Sequence, residues 1–270
     1  MTPEQCLSVG DPDGALAALQ AEVRTRPHDS KLRIFLFQLL CVQGDWGRAI
    51  TQLKLCAELD PSALPMAQTY REAIICEVFR EKVFAGEKMP LVFGEPQEWI
   101  ALQIEALKLL AQGDAPKAAE LRELAFEAAP ASSGTLNGVA FEWIADADTR
   151  LGPLLEMVVN GRYFWVPFTA IQEIRAEDPE DLRDSVWTAV NLVLNTGGEV
   201  VALIPTRYAG TTMRAGGSAR LARLTEWEDA GDGAFIGIGQ RLLATDQGDV
   251  GLMDLRRLII GGSTGGSPDG

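Results

Sequence analysis

Histidine is nearly absent: one residue, His28, in 270. One imidazole in a polar stretch removes most catalytic arrangements that need one, the Ser-His-Asp and Cys-His pairs among them. No HExxH and no His/Cys cluster offers a zinc site, and His28 reads as a solvated loop residue. Cysteine is scarce too. Cys6, Cys41, Cys56 and Cys76 show no CxxC spacing and sit among helix-patterned apolar residues. That pattern reads as buried, reduced thiols and a cytoplasmic protein. No run of about eighteen uncharged apolar residues exists, which excludes a membrane-spanning helix. The opening MTPEQCLSVGDPD lacks the basic-then-apolar pattern of a secretory signal.

Positive charge is also in short supply, and the net charge is −14. Residues 1–130 hold thirteen Lys and Arg against nineteen Asp and Glu, and the remainder eleven against nineteen. All six lysines lie in the first part. Such a balance argues against a nucleic-acid surface or an anionic membrane face and fits solubility or a basic partner. An acidic mimic of nucleic acid is the weakest alternative, because the carboxylates are dispersed rather than clustered. Phosphate-binding glycine motifs are missing: GxxxxGK[ST] does not occur. Gly237-x-Gly239 lacks the third glycine of a dinucleotide site and reads as a strand bulge.

What is present is a repeat. Gly10-Asp11, Gly44-Asp45 and Gly113-Asp114 are each followed by an alanine five positions after the glycine (Ala15, Ala49, Ala118). A proline follows seventeen after it (Pro27, Pro61, Pro130). From Gly10 to Gly44 is 34 residues, and from Gly44 to Gly113 is 69, one more than two such periods. Glycine ends one helix in the left-handed conformation, aspartate caps the next, and the small alanine lets the two approach. The period matches a tetratricopeptide-like helix–turn–helix unit. Helices are predicted over 11–26, 30–43, from 46 to about 60, 65–85, 99–112 and 114–129, with the third corner replaced by 86–96.

After Ala131 the apolar period falls from 3.6 to 2. Hairpins are predicted for 154–159 with 162–168 around Asn160-Gly161, and for 186–194 with 199–204. A third joins 240–245 to 250–255 through Gln247-Gly248, and 221–227 reads as a further strand. The expected fold is therefore α+β in two domains. A TPR-like α-α superhelix (1–130) precedes a mainly antiparallel β-rich domain (131–260), with closure into a small barrel among the expectations. The glycine-rich tail (261–270) has flexible-linker composition.

Two polar groups stand out in this half. Glu142, Asp146 and Asp148 beside Arg150 could hold a divalent cation for a hydrolase. The plainer reading has Asp146 and Asp148 capping a turn and pairing with Arg150. Arg207-Tyr208 is either an anion or peptide contact, or an arginine satisfying a carboxylate.

LFQLLCVQGDWGRAITQL (36–53), FEWIADADTRLGPLLEMVVNGRYFWVPF (141–168), DLRDSVW (181–187), IPTRYAG (204–210) and GIGQRLLATD (237–246) together resemble the ImpE/TagJ (SciE) accessory proteins of bacterial type VI secretion systems. The resemblance implies a cytoplasmic, non-enzymatic adaptor without cofactor or metal. It also implies binding to the N-terminal helical region of the small contractile-sheath subunit (TssB type), with an influence on the AAA+ ATPase ClpV. A helical-repeat wall suits such a segment. Arg33, Phe37, Trp99 and Gln103 are its candidate contacts, against core packing for Phe37 and Trp99.

Overall fold

The computed structural model describes residues 1–261 apart from Pro96 and Ala215, so all but the first residue of the expected flexible tail lies outside the described residues. Helices α1 (Pro3–Ser8), α2 (Pro12–Thr25), α3 (Ser30–Gln43), α4 (Trp46–Leu59), α5 (Leu64–Phe84), α6 (Glu98–Ala111) and α7 (Ala115–Ala128) come first. The three Gly-Asp corners join α1 to α2, α3 to α4 and α6 to α7. Gly10, Gly44 and Gly113 take φ of +79°, +74° and +85°, where a side chain would be strained. Asp11, Asp45 and Asp114 each accept the N–H three residues on, those of Gly14, Arg48 and Lys117. Ala15, Ala49 and Ala118 are buried where the paired helices meet.

Between α5 and α6 the repeat gives way to strand β1 (Leu91–Val92). It pairs parallel with β6 (Arg162–Pro167). The other strands are β2 (Gly134–Leu136), β3 (Val139–Phe141), β4 (Ile144–Asp146), β5 (Leu154–Val159), β7 (Ile171–Ala176), β8 (Trp187–Leu194) and β9 (Glu199–Pro205). They continue with β10 (Thr225–Asp229), β11 (Phe235–Gly239), β12 (Leu242–Thr245), β13 (Gly248–Gly251) and β14 (Arg257–Ile260). The main sheet has the order β1-β6-β5-β9-β8-β7-β14-β2-β3. A three-stranded sheet β13-β12-β4 and a two-stranded ribbon β10–β11 stand beside it.

Two hairpins lie where the sequence puts them. Asn160 and Gly161 take φ of +49° and +69° between β5 and β6, and β8 pairs with β9 through the 195–198 turn. The third hairpin is shorter than expected, with β13 ending at Gly251. The strand expected from 221 starts at Thr225 instead, because residues before it turn through Ala222 at φ +55°. Gly237-x-Gly239 is not a bulge: β10 and β11 keep regular register through it. Closure into a barrel does not occur among the described residues. β1 and β3 end an open sheet, and both of its faces are already covered, so closure is not needed to bury apolar surface. The end strands, two and three residues long, leave little free edge.

One face of the main sheet (Leu154, Val158, Tyr163, Trp165, Trp187, Leu203) packs into the same core as Phe37, Ile74, Trp99 and Ile104 of the helices. The other face (Leu155, Met157, Val166, Leu192, Ile204) forms a second core with Leu243, Leu252 and Leu255. The helical corners also touch the segment between β9 and β10, which makes two short turns, α8 (Thr211–Arg214) and α9 (Gly217–Arg220). A methyl group on Gly44 would lie 2.9 Å from Thr212, and one on Gly10 2.8 Å from the Ser218 hydroxyl.

Candidate functional site

Strand β5 reads LLEMVV and is buried over its whole length. Alternation along a strand puts Leu154, Glu156 and Val158 on the helix-facing side. A fully buried carboxylate there requires cations. It meets two. Arg80 of α5 approaches with Nε 2.6 Å and Nη2 2.9 Å from the Glu156 oxygens, and Arg241 donates to the second of those oxygens. The Tyr163 hydroxyl donates to Glu156, and Trp165 Nε1 donates 2.8 Å to that hydroxyl.

Arg241 lies beside β9, where its Nε donates 3.0 Å to the Pro205 carbonyl, and it also donates to Asp146. The β5–β9 ladder holds only at Val158↔Leu203 and Val159↔Ala202. The guanidinium bridges the two strands past the end of that ladder. Asp146 Oδ1 accepts the Asp148 N–H, and Asp148 holds the Arg150 guanidinium at 2.5 to 3.0 Å as well as the Gly237 N–H. Glu77, one turn before Arg80, accepts from Arg80 Nη1 at 3.2 Å and from Trp187 Nε1 at 3.0 Å.

Arg207 completes the cluster by a different route. It donates to the Cys41 and Val42 carbonyls at the end of α3 and to the Arg220 carbonyl. Four carboxylates (Glu77, Asp146, Asp148, Glu156) and four guanidinium groups (Arg80, Arg150, Arg207, Arg241) are thus buried together, with formal charges that cancel.

Burial opposes the charge on Glu156, but Arg80 and Arg241 outweigh it and hold the carboxyl down at about 2. At Asp146 burial prevails over Arg241, and the carboxyl is pushed up to about 7. Burial draws Arg207 down to about 10, consistent with a guanidinium met by carbonyl oxygens.

The expected pairing of Asp148 with Arg150 and with backbone amides is present, whereas Asp146 pairs with Arg241. The reading of Glu142, Asp146 and Asp148 as a hydrolase's metal site is corrected. Glu142 is exposed, with its N–H on Asp246, and the oxygens of the two aspartates already accept from arginines and amides. No group of three His, Cys, Asp or Glu among the described residues is placed to hold a metal ion. Tyr208 is buried. Its hydroxyl accepts the Leu242 N–H at 2.9 Å, and a methyl group on Gly237 would lie 2.3 Å from its ring. That close approach is why glycine stands at Gly237.

Of the four candidate partner contacts, three lie inside the molecule. Phe37 packs 5.8 Å from the Tyr70 ring, Trp99 is in the helical core, and Gln103 donates 2.9 Å to the Thr149 carbonyl. Arg33 is half-buried and donates to Pro27 O and Gln52 Oε1. Sequence reasoning passed over Glu77, Arg80, Glu156 and Arg241. The available signal was a lone charge inside an apolar run, Glu156 in LLEMVV above all.

Open apolar surface lies elsewhere. On α5, Leu64, Ile75 and Val78 are 48, 47 and 38 % exposed and share one side of the helix at 100° per residue. Around the helix from them, a cleft runs between α5 (Thr69, Glu72) and β9 (Val201, Ala202, Leu203), floored by Val158 and the Asn160-Gly161 turn. No helix among the described residues is long and apolar enough to cross a membrane.

Comparison with known proteins agrees with this architecture. Residues 138–259 match the family described as ImpE protein. The Type VI secretion system accessory component TagJ of Pseudomonas aeruginosa is 52 % identical over 258 residues, which cover 96 % of this chain and 90 % of that protein. The crystal structure of the protein VPA1032 from Vibrio parahaemolyticus superposes with a TM-score of 0.87 at 26 % identity, covering 96 % of this chain and 97 % of that one. The chain belongs to the ImpE/TagJ family.

Proposed function

We propose that this protein is a non-catalytic accessory component of a type VI secretion system, acting in the cytoplasm by holding another protein. In this reading residues 1–130 form a TPR-like scaffold and residues 131–260 its β-rich support. The ligand is a helical segment of the small sheath subunit (TssB type), and its capture modulates sheath recycling by the ClpV ATPase. The observation that carries the reading is the exposure of Leu64, Ile75 and Val78 on one side of α5. Ile75 and Val78 lie one turn apart and offer a partner helix two neighbouring apolar anchors, while the exposed Gln68 and Arg71 separate them from Leu64. The buried carboxylates, by contrast, are engaged with arginines and backbone and have no free oxygen facing a substrate.

Isothermal titration of the full chain with the N-terminal helix of the sheath subunit from the same organism tests this. Binding is expected, and Ile75→Asp with Val78→Asp should weaken it roughly tenfold or more. Absence of binding at high micromolar peptide would overturn the reading.

A further inference from the structure

The β10–β11 ribbon pairs with no third strand among the described residues. Its tip rests on α7: Arg122 Nη2 donates 2.6 Å to the Asp232 carbonyl. Three aromatic rings are left open there, Phe126 at 37 %, Trp227 at 42 % and Phe235 at 46 % exposure. They form a row. Phe126 covers Gly152, whose added methyl would lie 2.4 Å from the ring, and the Phe235 N–H bonds Thr149 Oγ1 in the same loop at 3.1 Å. Trp227 opposes Gly237 and Asp229 opposes Phe235, so Trp227 and Phe235 are diagonal neighbours on one ribbon face.

Exposed carboxylates stand beside these rings. Glu123 and Glu127 flank Phe126 on α7, while Asp229 and Asp232 flank Phe235. Arg122, whose guanidinium sits on the Asp232 carbonyl, attracts Glu123 and Asp232, but one cation among four carboxylates leaves the edge negative. Open rings among like negative charges are relieved together only by a ligand that carries both cations and apolar groups. Nucleic acid and anionic lipid are repelled, and so is a second copy of a chain with net charge −14.

We infer that the α7–ribbon face docks a lysine- or arginine-rich amphipathic segment of another protein. This site lies apart from the α5 surface, stands on its own observations and does not depend on the sheath reading.

The test uses the full chain and two synthetic peptides, one amphipathic in lysine and leucine, the other with glutamate in place of every lysine. The lysine peptide should bind in calorimetry and the glutamate peptide should not. Affinity should fall roughly tenfold in Trp227→Ser/Phe235→Ser and again in Glu123→Gln/Glu127→Gln, whose surface changes leave folding intact. Both variants should keep any affinity for the sheath helix. Equal binding of the lysine peptide to wild type and variants would reveal attraction to net charge alone and overturn the inference. So would no binding, or a dimer in sedimentation that the aromatic variant dissociates.

Discussion

Arg80 and Arg207 are both buried cations, and Arg80 Nη2 donates 2.9 Å to the carbonyl oxygen of Arg207. Each works across the boundary between helices and sheet. Arg80 reaches from α5 to Glu156 on β5, and Arg207 reaches back from the end of β9 to the last turn of α3. Guanidinium suits this because one planar group presents donors in several directions.

Arg207→Lys should therefore not be a conservative change. An ammonium cannot span the Val42 and Arg220 carbonyls as the guanidinium does, and a buried acceptor left unpaired costs about 1–3 kcal/mol, whereas the Cys41 carbonyl keeps the Gly44 N–H. We expect a loss of about 2–3 kcal/mol in urea unfolding. A loss below about 0.5 kcal/mol, the range of neutral surface changes, would show that the α3 end is satisfied in another way.

Glu156→Gln keeps the shape of the side chain and removes the charge that faces two arginines. Breaking a buried pair typically costs about 3–5 kcal/mol, because the remaining charge is uncompensated. The expected outcome is a loss of that order, read from the shift in denaturation midpoint at constant slope.

Gly44 and Gly113 share a left-handed backbone but differ in surroundings. A methyl group on Gly113 meets nothing within 4 Å, whereas one on Gly44 meets Thr212 at 2.9 Å. Gly113→Ala should cost about 1 kcal/mol, from backbone strain alone. Gly44→Ala should cost more, and the difference reads the seating of the α3–α4 corner on α8. Equal losses would mean that this contact gives way freely.

Asp146 and Glu156 predict opposite responses to pH. With its carboxyl held at about 2, Glu156 contributes stability that is present above the unfolded value and lost as pH falls through the folded one. Asp146 runs the other way. Its folded carboxyl keeps a proton up to about 7, while the unfolded chain releases it near 4. Between these the native state binds more protons, so stability falls as pH rises, by at most about 1.4 kcal/mol per pH unit. Asp146→Asn removes that dependence. The variant should gain on wild type from pH 4 to pH 7, and a constant difference between the two would refute the assignment.

The features legible in the sequence are those made by neighbours in the chain. Gly44-Asp45 encodes its corner with two adjacent residues, and Asn160-Gly161 encodes a hairpin in the same way. Strands β2 and β14 escaped notice because residues 134–136 pair with 258–260, more than a hundred positions away. β1 is two residues long and is defined only by its partner β6. The charged cluster was hidden for the same reason. Arg80 and Glu156 are 76 residues apart, Arg241 and Glu156 are 85, and apart from Glu156 in its apolar run each alone resembles an ordinary surface charge. Phe37 and Trp99 lie in the core, and an apolar helix position reads the same in sequence whether the fold or a ligand covers it.

The cancelling charges around Glu156 also bear on how such a chain can change over generations. A single replacement among these eight residues strands a partner in a dry interior, while a joint exchange for apolar residues of similar volume need not. Descendants should therefore keep the set or abandon several members at once, and drift one position at a time should be rare.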